Sequence, residues 1–237
     1  MTVTVDSVVN RVQVILQDTT GIRWPVTSEL VLFINDAQRE IALLKPDASA
    51  TTSNEQLVTG TRQTLPTGGN RLLRVVRNMS GTASSSTGKR AVRLVSREIL
   101  DAQTPNWHDA TVSSGTDAAH TTEIKHYIYD EQNPRVYYVY PGVAGNAFAE
   151  VVFSANPSTV AAGGNLSIPD IYGNAVTDYV LFRAYTKDAE YAGNNQRAST
   201  HYNLFINSVT GKGQIDIITS PNTDLNQGVT LPSQAQG

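Results

Sequence analysis

Cysteine is absent from this 237-residue chain, and with it go disulfides, thiolate nucleophiles, Cys-ligated zinc and iron–sulfur clusters. The fold must rest on packing alone. Charge is sparse too: 16% of residues are charged and the formal net charge is −3. A protein that neutralises many phosphates is basic, so free nucleic acid is not expected as the primary ligand. No apolar run of about twenty residues occurs, and the opening MTVTVDSVVNRVQVILQD is interrupted by polar groups too often for an export signal or a spanning helix. The expectation is a protein made in the cytoplasm, with no membrane partner. Short catalytic signatures are also missing: no G-x-x-x-x-G-K-[ST], no G-x-G-x-x-G after a strand, no H-E-x-x-H and no G-x-S-x-G. The sequence therefore predicts no enzyme and no cofactor.

What is present is organised as helices at both ends and strands between. Val8, Val9, Val12, Ile15 and Leu16 recur at helical spacing and predict a first helix over Val5 to Asp18. Gly21 and Trp24-Pro25 make a connector. Thr27 or Ser28 then caps a second helix with the stripe Leu30, Phe33, Ile34, Ala37, Ile41 and Leu44, ending before Pro46. From Ala48 to Pro157 the texture changes to short β-like runs, among them QLVTGTRQTL, RLLRVVRNM, KRAVRLV, IKHYIYD, RVYYVYP and AEVVFSA, separated by Gly, Pro, Asn and Ser. Pro169 opens a third helix reaching Tyr191, and Ala198, Tyr202, Phe205 and Val209 mark a fourth, closed by Gly211. The expected fold is α+β: an antiparallel helical bundle from residues 1–47 and 158–211, an inserted antiparallel β-domain over 48–157, and an extended C-terminal tail over 212–237. That tail, KGQIDIITSPNTDLNQGVTLPSQAQG, is polar and non-periodic and cannot bury a core by itself.

Few residues point to chemistry. Trp107-His108-Asp109 places an imidazole beside a carboxylate, either a general base with its orienting partner or a surface turn after Pro105. Asp170, Asp178, Asp188 and Glu190 lie along the third helix with no histidine or further acid in register for a metal. The sharpest charge feature is residues 56–97, which hold Arg62, Arg71, Arg74, Arg77, Lys89, Arg90, Arg93 and Arg97 and no Asp or Glu. Duplex DNA passing through a lumen or an acidic partner would both exploit that stretch. Strand alternation implies that Arg71, Arg74 and Arg77, three residues apart, do not share one face. Tyr127, Tyr129, Tyr137, Tyr138 and Tyr140 group in two adjacent strands, as a stacking or glycan-binding surface or as core and interface packing.

The order and spacing of three blocks carry a resemblance. They are RVQVILQDTTGIRWPVTSELVLFINDAQREIALLKPDA, then PNWHDA with YIYDEQNPRVYYVYPGV and VVFSANP, then IPDIYGNAVTDYVLFRAYTKDAEYAGNNQRASTHYNLF. In these the chain resembles the head-to-tail adaptor, or head completion, proteins of tailed and mainly short-tailed bacteriophages. The resemblance implies a structural virion protein assembled in the host cytoplasm at the head-to-tail interface. Its copies would form a ring, usually of twelve, under the portal. That ring would extend the channel for genomic double-stranded DNA and give the next tail tube or nozzle protein its platform. It also implies that the C-terminal segment reaches the portal, with Ile215, Ile217, Ile218, Leu225, Val229 and Leu231 as its apolar anchors. The alternative is a tail module that binds glycan or another surface ligand through the aromatic-rich β-domain.

Overall fold

Residues 2–110, 119–191 and 193–218 are described by the computed structural model. The architecture is mixed α+β, and the chain divides into two units, Met1–Lys45 with Ser158–Gly237, and Pro46–Pro157.

In the first unit, the Thr4 hydroxyl accepts the Ser7 amide at 3.1 Å and starts helix α1, Val5–Leu16. Val5, Val8, Val9 and Val12 are its buried stripe, each contributing about 1.5–3 kcal/mol by leaving water. Gln17, in the left-handed region at φ 56°, ends it. The connector is held by one side chain. The Asp18 carboxylate accepts the amides of Ile22, Arg23 and Trp24 at 3.2, 2.9 and 2.9 Å. A π-helical turn, Val26–Leu30, leads into helix α2, Val31–Leu44. Two buried amides on α2 hold the chain that enters the third helix. Asn35 exchanges hydrogen bonds with the Val160 backbone, and Gln38 Oε1 accepts the Ser167 amide at 2.7 Å.

A 3₁₀ turn at Asp170–Tyr172 precedes helix α4, Gly173–Lys187, which ends before the expected Tyr191. Helix α4 packs against α1, α2 and α5, Asn194–Ile218. Tyr179, Phe182, Tyr202 and Phe205 interlock between α4 and α5, with Phe205 fully buried. Gly211 does not close this helix. It runs on to Ile218, so Lys212–Ile218 is helical and not extended chain. The extension is supported where Asp216 accepts the Lys212 ammonium one turn earlier, at 2.8 Å, and also pairs with Lys45 beyond the end of α2.

The second unit is a sandwich of two four-stranded sheets. Its strands are β1 Ala50–Gln56, β2 Gly60–Thr64, β3 Gly69–Met79, β4 Gly88–Ala91, β5 Arg93–Leu94, β6 His126–Tyr129, β7 Val136–Val143 and β8 Phe148–Ala155. The orders are β1-β8-β3-β4 and β2-β7-β6-β5. Leu72, Val75, Val151 and Phe153 from the first sheet meet Tyr127, Tyr137 and Val139 from the second in one core. The outer face of the second sheet is covered as well. There Leu100 of helix α3, Arg97–Gln103, packs with Trp107, Ile128, Tyr138 and Tyr140. Strand β7 is thus buried on both sides, as its alternating aromatic pattern implies.

Not all pairing is antiparallel. Strands β5 and β6 run parallel, because the chain crosses from the first sheet to the second at buried Val92 and returns only after the long connection carrying α3. Connections of that length permit parallel neighbours. The KRAVRLV run is split at that crossing. The first strand, ATTSNEQ, is polar on both faces and carries no alternation to announce it.

Candidate functional site

The residues that hinted at catalysis serve packing and connection. PNWHDA is a surface turn, exposed except at Trp107, whose buried indole donates to Asp101 Oδ1 at 2.9 Å. The His108 ring lies 3.6 Å from the Trp107 ring, and its Nδ1 is 2.7 Å from the Thr61 hydroxyl. Burial first, and then the nearby Arg97 charge, lower its pKa and keep the imidazole neutral. At the two ends of α4, Asp170 in the preceding 3₁₀ turn accepts the Val3 amide at 3.0 Å and Asp188, just past the last residue, pairs with Arg23 at 2.7 Å. Asp178 does have a histidine in register, since α5 brings His201 Nδ1 to 2.9 Å. Among the described residues no group of three or more His, Asp or Glu is placed to hold a metal.

The strand tyrosines do not form one exposed platform. Tyr127 and Tyr137 lie in the sandwich core, while Tyr138 and Tyr140 pack on the opposite side against the Trp107 cluster. Burial raises the Tyr137 phenol pKa.

The basic stretch separates into three groups, all exposed. Arg62 and Arg93 pair with Tyr138 and His126 in the second sheet, and Arg97 opens α3, paired with Asp101 at 3.4 Å. Lys89 and Arg90 lie on the β4 edge, where Lys89 approaches Glu123 at 3.6 Å. Arg71, Arg74 and Arg77 stand in register with Ser154, Val152 and Glu150. Those partners are alternate residues of β8, so the three arginines share one face, contrary to the alternation rule. The cause is a register shift between each successive pair, at Leu72/Arg74 and Val75/Arg77, after a first shift at Gly69/Arg71 that precedes the row. Each bulge sets two residues of β3 against one of β8 and converts a two-residue period into three. The signal was legible as the triplet pattern Arg-Leu-Leu, Arg-Val-Val, Arg-Asn-Met. Spaced by two β8 residues, the arginines form a row with steps of about 7 Å. Arg77 pairs with Glu150 at 2.5 Å; Arg71 and Arg74 have no ion pair among the described residues.

Sequence reasoning missed the complement of this row. A cleft of about 640 Å³ on the outer side of the second sheet is lined by Glu98, Asp101, Asp130 and Glu131, with Arg97 as its one basic residue and Ile128 among its apolar lining. Its signal is the return of acids at Glu98 directly after the acid-free stretch. On the helical unit, a groove of about 690 Å³ lies between α1 and α4, with Val14, Ile15, Asn174 and Asp178 in its walls. Val14 is 68% exposed.

Of the tail residues, Ile215 and Ile218 project from the last turns of α5 at 60% and 72% exposure. Ile217 lies on the same helix. Leu225, Val229 and Leu231 lie outside the described residues. No helix among the described residues is long and apolar enough to cross a membrane.

Residues 3–224 match the model of a family described as SU10 adaptor protein. No curated protein matches the chain.

Proposed function

Because the chain belongs to the SU10 adaptor protein family, we propose that this structural protein of the phage virion works as a head-to-tail adaptor. Its copies close into a ring, twelve by resemblance, beneath the portal. The ring extends the channel through which double-stranded DNA passes and presents a platform to the next tail protein. The role involves no reaction and no cofactor. The observation that carries this reading is a family match over nearly the whole chain, in both units and not in one shared module.

The helical ends act in this reading as an antiparallel bundle, with the β unit inserted between them and the C-terminal segment reaching the portal. Ile215, Ile217 and Ile218 at the end of α5, with Leu225, Val229 and Leu231 beyond it, are the proposed apolar anchors. The exposed arginines of the β unit are offered to a negatively charged partner, passing DNA or an acidic protein surface.

The test is to purify the chain alone and with its own portal protein and to measure mass in solution. The reading predicts a complex whose mass equals the portal plus a full set of adaptor copies. A chain that stays monomeric and ignores the portal contradicts it.

A further inference from the structure

A ring built from identical subunits needs two different, mutually complementary patches on each copy, because every head-to-tail contact joins one patch to the other. The β unit carries such a pair on the two outer faces of its sandwich. The outer face of the first sheet presents the arginine row, with Arg71 and Arg74 free of ion pairs among the described residues. The outer side of the second sheet presents the acidic cleft. Glu98 and Glu131, on its walls, carry no ion pair among the described residues, whereas Asp101 is held by Arg97 and Trp107. Arg71 also lines a pocket with Leu94 and Tyr129, which border the acidic cleft, so the two patches are distinct but adjoin at that edge.

We infer that neighbouring copies are joined through their β units, the Arg71–Arg74–Arg77 face of one copy docking into the Glu98–Glu131 cleft of the next. This rests on the ring-subunit reading above and adds the contact that closes the ring. Three features favour a second copy of this chain over DNA as the partner of the row. The row is short, and Arg77 is already engaged by Glu150. Of the remaining basic residues of the stretch, Arg62 and Arg93 belong to the second sheet, Arg97 opens α3, and Lys89, on the β4 strand beside β3, approaches Glu123 at 3.6 Å, so they do not extend the row into one continuous track. A chain with net charge −3 that concentrates a basic row and an acidic cleft in two distinct patches of one unit is suited to polar head-to-tail association, in which complementary charge sets partner choice and register. The apolar lining, Leu94 and Ile128, supplies area for the aliphatic stems of the arginines.

The experiment uses the full chain assembled with its portal and four proteins: wild type, R71E/R74E, E98K/E131K, and the variant carrying all four changes. All four changes are on exposed side chains, and unchanged thermal melting confirms that each variant is folded. Closed rings are counted by solution mass and negative staining. Each one-sided reversal is expected to weaken subunit association at least about a hundredfold. The fourfold swap is expected to restore rings to within about tenfold of wild type, because its acidic face then meets a basic cleft. A one-to-one mixture of the two one-sided variants is expected to assemble where neither does alone. Rings that persist after a one-sided reversal, or a swap that fails to rescue, overturn the inference while leaving the adaptor reading intact. R71E/R74E rings of normal yield that lose retention of a short DNA duplex overturn it in favour of DNA. A wild-type chain that forms no ring on the portal sinks the adaptor reading itself.

Discussion

Asn78 is the side chain on which the joint between the two sheets turns, and replacing it with alanine gives a sharp test of the fold. It is 1% exposed. Its Nδ2 donates to the carbonyls of Arg90 at 2.9 Å and Ile124 at 2.8 Å, and its Oδ1 accepts the Ile124 amide at 2.8 Å. One amide thus ties β3 to β4 and to the segment entering β6. Asn78→Ala removes three hydrogen bonds worth about 0.5–1.5 kcal/mol each and leaves buried backbone groups without that partner, at about 1–3 kcal/mol for each left unsatisfied. The expected loss is about 3–4 kcal/mol, a large part of a domain's total stability, and a melting temperature lower by about 10 °C. Calorimetry and urea unfolding measure it. Asn54→Ala is the control: it removes one exposed bond, to the Ala83 carbonyl, and should change stability by less than about 0.5 kcal/mol. A loss below about 1 kcal/mol for Asn78→Ala would refute the assignment of this residue as a joint.

Phe205 is fully buried against Tyr179 and Tyr202, so Phe205→Ala should cost about 3–5 kcal/mol by urea titration. The Asp18 carboxyl is held below its usual range chiefly by the Trp24 amide, with Arg23, Ile22 and Thr20 adding to it against the cost of burial. Its contribution is fully present above the ordinary carboxylate value near pH 4 and is lost as pH falls through the lower folded value. Comparing urea midpoints at pH 7 and pH 3, wild type should therefore lose more stability than Asp18→Asn; equal losses would remove this role. The buried Tyr137 phenol should ionise only with unfolding, which an ultraviolet alkaline titration of wild type against Tyr137→Phe detects. Removing residues 219–237, which takes away Leu225, Val229 and Leu231 and keeps Ile215, Ile217 and Ile218, should leave melting unchanged while weakening co-sedimentation with the portal; undiminished co-sedimentation would remove the role assigned to those three anchors.

The helical ends were readable because their buried faces follow the 3.6-residue period: Val5, Val8, Val9 and Val12 in α1, Ile34, Ala37 and Ile41 in α2. The mixed α+β class followed from the change of texture between them. Misreadings arose where a local rule met a tertiary override. Two bulges, between Arg71 and Arg74 and between Arg74 and Arg77, turned the arginines of β3 onto one face, and alternation alone implied the reverse. Gly211 read as a stop, but Lys45 and Lys212 hold Asp216 and sustain the helix past it. The turn at Pro105 was read correctly, but the burial of Trp107 within it was not, because its partners Leu100 and Ile128 belong to separate elements that only the fold brings together. The acidic cleft was invisible for a related reason: α3 and the β6–β7 turn supply its carboxylates separately, and only the fold gathers them.

Averaged images of negatively stained portal particles, with and without the chain, test the central claim most directly. The account predicts added density closing into a ring beneath the portal with the portal's own rotational symmetry. Portal particles identical in the two samples would contradict it.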